Sequence, residues 1–217
     1  MLIISSLVFN LLGCSGDEKA ETVVMATEFS ACDPLDEALC AFPFPSTFYM
    51  TENVERTSGW QLAFQSDSLP VNIDGEKADP KYWNERDGFS PLTPIMVHFP
   101  KVSLDGVIGH SAIGSYLDAD AKTVIIDVET GERMPHFVEL DMSHDQDDRR
   151  ALILRPVKSL EWGHRYVVGI RGLSKVDGSA VDSSTAFTAL RDGSKTNDYD
   201  IEGRRAYYDE TIFPALE

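Results

Sequence analysis

Basic residues are few in this chain. Lys and Arg number 19 against 36 Asp and Glu, a formal net charge of −17 over 217 residues. Nucleic acids and anionic membrane surfaces both require clustered cations, so this balance excludes them as partners. The adjacent arginine pairs, Arg149-Arg150 and Arg204-Arg205, each have acidic residues close by in sequence. Long apolar runs are missing as well. The stretch MLIISSLVFNLLGC at 1–14 is too short to cross a bilayer as a mature helix. The histidines (His98, His110, His136, His144, His164) form no H-x-H or H-x-x-x-H pair, and no Gly-rich phosphate loop occurs. These absences remove the familiar zinc-hydrolase and nucleotide-binding signatures.

Cysteine is scarce, and each of the three has a place. The first apolar run suits a signal-peptide hydrophobic region. Its end, Leu11-Leu12-Gly13-Cys14, resembles a bacterial lipobox. That resemblance implies acylation of Cys14, loss of residues 1–13 as a signal peptide, and attachment to the bacterial cell envelope through lipid. Ser15 after the cysteine is compatible with the outer membrane. No Lys or Arg precedes the run, a departure from the usual signal. Cys32 and Cys40 lie in CDPLDEALC, a short loop that is most simply closed by a disulfide in an exported chain. A metal pair is the runner-up, with no third or fourth ligand nearby at zinc spacing.

Residues 14–31 are small, polar and charged and read as a flexible tether, within which Thr22–Ala26 has the makings of an edge strand. The segment AFPFPSTFYM alternates aromatics with prolines, as an extended edge segment would, with Phe42, Phe44 and Phe48 as core plugs. Period-two apolar patterns then predict strands at 60–64, 95–99, 123–128, 136–140, 151–155, 166–171 and 185–190. A hairpin turn is expected at Glu129–Glu132 and another turn at Asp177-Gly178. Residues 76–90 read as an ordered loop packing Tyr82, Trp83 and Phe89 over the core. After a polar linker, Ile201, Tyr208, Ile212 and Leu216 fall on one helical stripe, with Pro214 near its end. The expected architecture is mainly β: an Ig-like antiparallel β-sandwich over 32–193 with long loops, followed by a linker and C-terminal helix over 194–217. That helix either docks on the sandwich or begins a downstream domain.

Two motifs carry candidate chemistry. Gly109-His110-Ser111 opens like an esterase nucleophile elbow, but the second glycine, Gly114, comes one position late. The flanking residues also fail to give a strand before Ser111 and a long helix after it. Ser111 therefore reads as a loop serine, and no catalytic residue is assigned. Asp141, Ser143, Asp145 and Asp147 alternate as calcium-loop ligands do, but Gln146 stands in place of the required glycine and Leu152 in place of the bidentate glutamate. Asp141, Asp145 and Asp147 stay as a weak calcium candidate against the blander reading of a solvated loop. No other cofactor is expected.

Residues 161–187, EWGHRYVVGIRGLSKVDGSAVDSSTAF, resemble the last two strands of bacterial immunoglobulin-like domains of the SbsA type. The shared features are a Gly-x-x-Tyr step into a strand, a Gly-Leu and Asp-Gly turn, and a final strand ending in Phe187. More broadly, CDPLDEALCAFPFPSTFY, DGFSPLTPI, TGERMPHFVELD and RALILRPVKSL are similar to the front region of large secreted bacterial lipoproteins, including lipases with an Ig-like N-terminal domain. The resemblance implies a fold and a neighbourhood, with any catalytic nucleophile beyond Glu217, and transfers no catalytic residue. Two functions follow as expectations. The first is a cell-surface lipoprotein whose non-catalytic Ig-like module serves as spacer, binding platform or accessory domain. The alternative is the N-terminal portion of a secreted ester hydrolase. A surface glycan bound through Trp60, Tyr82 and Trp83 is a weaker third expectation.

Overall fold

A computed structural model of the chain describes residues 22–25, 31–36 and 38–217. Cys14, the signal-like run and most of the expected tether lie outside these residues. Among the described residues the strands are β1 (Met50–Glu52), β2 (Trp60–Leu62), β3 (Ile95–His98), β4 (Thr123–Asp127), β5 (His136–Leu140), β6 (Ala151–Pro156) and β7 (Tyr166–Ile170). All pairing between them is antiparallel. β1 pairs with β2, β4 pairs with β7, and the third sheet runs in the order β3-β6-β5.

Strand alternation explains the core. In the three-stranded sheet Ile95 lies opposite Leu154, Val97 opposite Leu152, and Val138 and Leu140 opposite the same two leucines from the other side. Those six side chains share one face. They meet Ile125 of β4 and Tyr166, Val168 and Ile170 of β7 in a single cluster, so the two sheets share a core. Leu152 and Leu154 are fully buried, and truncating either to Ala should cost about 2–5 kcal/mol. The Glu129–Glu132 turn forms as expected, with Gly131 at φ 71° and Asp127 N–H donating to the Glu132 carbonyl. It carries the chain out of β4 toward β5 in the other sheet, so it does not join two neighbours of one ladder. Asp177-Gly178 likewise makes a tight turn, with Ser174 bridging Ala180.

Two expectations about local structure are corrected. The TAFTAL stretch is not a strand but helix α1 (Thr185–Arg191). Ser184 caps it by accepting from the Phe187 N–H, and buried Ala186, Ala189 and Leu190 follow the i, i+3, i+4 spacing of one helical face. Tyr82 and Trp83 do not pack over the core: they are 70% and 50% exposed, while Phe89 alone of that loop joins a core cluster. The expected edge segment pairs through Phe44, which bridges Met96 at the side of β3. Phe44 packs edge-on to Phe89 at 5.4 Å, and Tyr49 stacks on Phe64 at 5.1 Å. Phe48 lies at the edge of the same cluster, whereas Phe42 is outside it.

The C-terminal stripe docks as a helix should when it has one apolar face. Helix α2 (Tyr199–Tyr207) runs through one wide π-turn at Tyr208–Ile212 into α3 (Phe213–Leu216). Asp198 caps α2 by accepting from the Asp200 and Ile201 N–H groups. Ile201 and Tyr208 are buried with Ala186 and Leu190 of α1, and Met25 enters the same cluster. Residues 22–25 are therefore docked and not free tether: the Val23 N–H donates to the Lys195 carbonyl at 2.8 Å, and the Met25 N–H to Asn197 Oδ1 at 2.7 Å. The Cys32–Cys40 disulfide is formed.

Candidate functional site

The helices do not close flush against the sheets. A cleft of about 910 Å3 lies among the disulfide loop, strands β3 and β7, and the three helices. Pockets for small molecules occupy about 300–1,000 Å3, so this one is of binding size. Its walls are apolar, with Val97 and Phe99 from the β3 side, Val168 from β7, Phe187 from α1 and Ile212 from the π-turn. Each of these side chains is only half-buried.

Charged groups gather where the disulfide loop meets β3 and α2. Asp33, fully buried, accepts from Arg204 Nη1 at 2.8 Å and from Ser46 Oγ at 3.0 Å. The Arg204 guanidinium lies over the Phe48 ring at 4.9 Å. One turn further on, Asp36 Oδ1 accepts from the Ala38 and Leu39 N–H groups. Asp36 Oδ2 stands 3.6 Å from His98 Nδ1, an ion-pair distance too long for a hydrogen bond. Among the described residues, buried Asp36 Oδ2 and Arg204 Nη2 have no hydrogen-bond partner. His98 Nε2 lies 2.8 Å from the Asp148 carbonyl, which only accepts, so Nε2 carries a proton. The Asp36 carboxylate raises the His98 pKa above the ordinary value; burial opposes this and the Asp148 carbonyl assists it. Tyr208, also on the wall, has its phenol pushed up to about 12 by burial and stays neutral.

The sequence-derived candidates lie apart from this cleft. Ser111 is exposed in a turn between β3 and β4, and among the described residues it makes no side-chain hydrogen bond to a histidine. The calcium candidates are not brought together. Asp141 Oδ1 accepts from the Ser143 N–H, which lowers its pKa, Asp147 pairs with Arg150, and Asp145 is exposed. His136 is fully buried between the Thr123 hydroxyl and the Met134 carbonyl, each at 2.9 Å, and burial lowers its pKa, so it is a neutral structural residue. Trp60 is half-buried on β2, away from the cleft walls.

One cluster that sequence reasoning missed has metal-binding composition. Asp127, Glu129 and His164 place one ligand atom each within 4.8 Å of one another, the one such group among the described residues. Only the β4–β7 ladder, which sets Asp127 opposite Tyr166, brings His164 to the two carboxylates. Each atom already has work. Asp127 Oδ2 holds His164 Nδ1 at 2.8 Å, its Oδ1 accepts from the Glu129 and Thr130 N–H groups, and Glu129 Oε2 accepts from the Arg165 N–H. The cluster ties the β4 turn to the start of β7.

The fold and the cleft thus define a β-rich, disulfide-bearing chain with antiparallel sheets, a short C-terminal helix and a pocket-sized cleft against it. Comparisons with protein-family models, with curated proteins and with solved structures each found no match.

Proposed function

We propose that this chain is a non-catalytic ligand-binding module of an exported bacterial lipoprotein, held at the cell envelope, and at the outer membrane in particular, by lipid on Cys14. The observation that carries the reading is the cleft: a pocket-sized, largely apolar space in which His98 lies against Asp36 and Arg204 against Asp33. Both nitrogens of its histidine face Asp36 and Asp148 and neither faces a serine. The disulfide fits an oxidising compartment. Two antiparallel sheets sharing one core support the finer assignment of the β-rich part to an Ig-like sandwich. Such a module serves as the binding platform of the protein that carries it. The second reading, an accessory front part of a secreted ester hydrolase, draws on the similarity of CDPLDEALCAFPFPSTFY, DGFSPLTPI, TGERMPHFVELD and RALILRPVKSL to the front region of large secreted lipoproteins, and expects the nucleophile in a domain that follows.

The test is saturable binding of an environment-sensitive apolar dye to the purified full chain. A one-to-one isotherm that Ile212→Trp abolishes supports the cleft as a binding site. Dye fluorescence that does not saturate, or that Ile212→Trp leaves unchanged, removes it.

A further inference from the structure

We infer that the cleft takes an extended, apolar peptide segment, which adds as one more strand to the free edge of β7. The inference rests on the reading of the cleft as a binding site and names what that site binds.

The register of β7 fixes which of its peptide groups are occupied. The Arg171 N–H donates to the Lys122 carbonyl and the Val128 N–H to the Arg165 carbonyl, each at 2.9 Å, and both pairs continue the β4–β7 register. Along an antiparallel ladder such pairs recur at every second residue. Val167 and Gly169 therefore turn their N–H and C=O groups toward β4, and Tyr166, Val168 and Ile170 turn theirs away. Among the described residues, the backbone groups of these three find no hydrogen-bond partner.

The other edges of the two core sheets are covered. Residues 132–134 bond to the far side of β4 through Asp127 and Ile125, and the Ile108 carbonyl accepts from Val138 of β5. Phe44, between Pro43 and Pro45, exchanges two hydrogen bonds with Met96 of β3. The β7 edge is left open along its length. An open edge is normally blunted by charge or proline, and YVVGI at 166–170 has neither. Its protection is recess: Tyr166, Val168 and Ile170 line the cleft, which Tyr208, Ile212 and Leu216 bound on the helical side. Such a recess admits a single extended segment, whereas the edge of a second sheet would meet the helices.

The walls set the side chains of that segment. Tyr166, Val168 and Ile170 pack with Val97 and Phe99 on the core side. Gly169 turns to the opposite face, where a Cβ would lie 2.6 Å from Leu216. A strand added beside β7 continues both faces, so its side chains meet apolar groups in either direction. Strands covered on both faces are continuous apolar runs. A segment of about five residues matches β7 in length. Charge does not select it. Asp36 lies against His98, Arg204 against Asp33, Arg191 against Asp192 and Asp182 against Lys175. Arg171 reaches toward the β4 side, to the Ala119 and Ala121 carbonyls.

The probe is a peptide of five alternating Val and Ile residues between two lysines, acetylated and amidated, with every second amide N-methylated. One of its edges can still pair, while the blocked edge prevents self-association. It should displace the apolar dye from the purified full chain and slow hydrogen exchange at the Val168 and Ile170 amides. Exchange at Val167 and Gly169, already paired with β4, should change little. The fully N-methylated peptide keeps the side chains and loses the donors. It should bind at least about tenfold more weakly, the loss of two or more hydrogen bonds. Equal displacement by both peptides, or displacement that leaves Val168 and Ile170 unprotected, overturns strand addition while the cleft survives as an apolar site. A saturable dye that Ile212→Trp abolishes but neither peptide displaces overturns the inference and leaves the proposed function standing. A dye that never saturates removes both. Protection at Val168 and Ile170 that rises with protein concentration, without peptide, gives the edge to a second copy and overturns the inference as well.

Discussion

His98 Nδ1 stands 3.6 Å from Asp36 Oδ2, and this pair ties the disulfide loop to strand β3. Its side chains are 3% and 7% exposed, so the two charges have little water to fall back on. The raised pKa of His98 means that the folded state binds the proton more tightly than the unfolded chain. The stabilisation is therefore fully present below the unfolded value near 6.5 and is lost as pH rises through the higher folded value. His136, with its lowered pKa, acts in the opposite sense and costs stability as pH falls below about 6.5. The pair is thus read by difference. Replacing His98 with Asn should lower stability most at pH 5–6, by on the order of 3 kcal/mol. That deficit should shrink toward pH 9. Denaturant unfolding of both proteins across this range decides it; a deficit that grows with pH would contradict the assignment.

Gly169 offers a second test, of how the C-terminal helix docks. A Cβ at this position would lie 2.6 Å from Leu216 Cδ2 and 2.9 Å from Val124 Cγ2. Leu216 is the flexible end of a side chain on α3, whereas Val124 is β-branched and lies directly across the ladder. Gly169→Ala should destabilise the chain by about 1–3 kcal/mol through this crowding. Adding Leu216→Ala should recover part of the loss, because one of the two clashes is gone. An additive double mutant would show that α3 does not press on β7.

The disulfide closes a loop of about nine residues, which the chain-entropy account values at roughly 2–3 kcal/mol. The paired substitution of Cys32 and Cys40 by Ser should lower stability by that amount. Because the loop also carries Asp33 and Asp36, it should loosen the cleft wall as well. Hydrogen exchange at the Ala38 and Leu39 amides, which now donate to Asp36, reports the loosening directly. Unchanged protection there would mean that the loop holds its shape without the bond.

The proposed lipid on Cys14 predicts a change of fraction. Expressed in a bacterial host, Cys14→Ser should appear as soluble protein or as uncleaved precursor, whereas the unaltered chain should sediment with membranes. A variant that matures and sediments like the parent would rule out the anchor.

Ser111 is expected to be chemically ordinary. A nucleophilic serine needs a base within hydrogen-bond reach and preorganised donors for the oxyanion. A fluorophosphonate probe should leave the full chain unlabelled, and short-chain nitrophenyl esters should hydrolyse at the buffer rate. Stoichiometric labelling that disappears in Ser111→Ala would overturn the non-catalytic reading.

Much of the local structure was legible in the residues. A strand with one face in a core must alternate, and that alternation marked β2 through β7. The short spacing of Cys32 and Cys40 points to their bond, and the stripe of Ile201, Tyr208, Ile212 and Leu216 points to a helix that needs a partner, without saying whether that partner lies in this domain. Helix α1 departs from the expectation because Thr185–Leu190 repeats its apolar residues in threes, Ala186-Phe187 and Ala189-Leu190, nearer to the helical period than to strict alternation. The deciding signal was the Ser184 cap, which supplies a partner for an N–H that a strand would have paired laterally. Tyr82 and Trp83 stay outside the core for a different reason. Aromatic character says a residue profits from burial, but it cannot say that a surface is there to receive it.

What the sequence by itself determined is therefore the set of local choices: which segments alternate, which turn, where a cap can form, and how negative the whole must be. Tertiary structure alone decided which strands are neighbours. It set Asp127 beside His164, 37 positions away, and Arg204 beside Asp33, 171 positions away. It also decided that the helices meet the sheets at Leu216 and Gly169 without closing flush along their length, which leaves a cleft. The reason is physical. Periodicity encodes which face of an element avoids water, and any apolar surface satisfies that demand equally well. The choice of partner depends on the summed packing of all elements at once, and no single segment carries it.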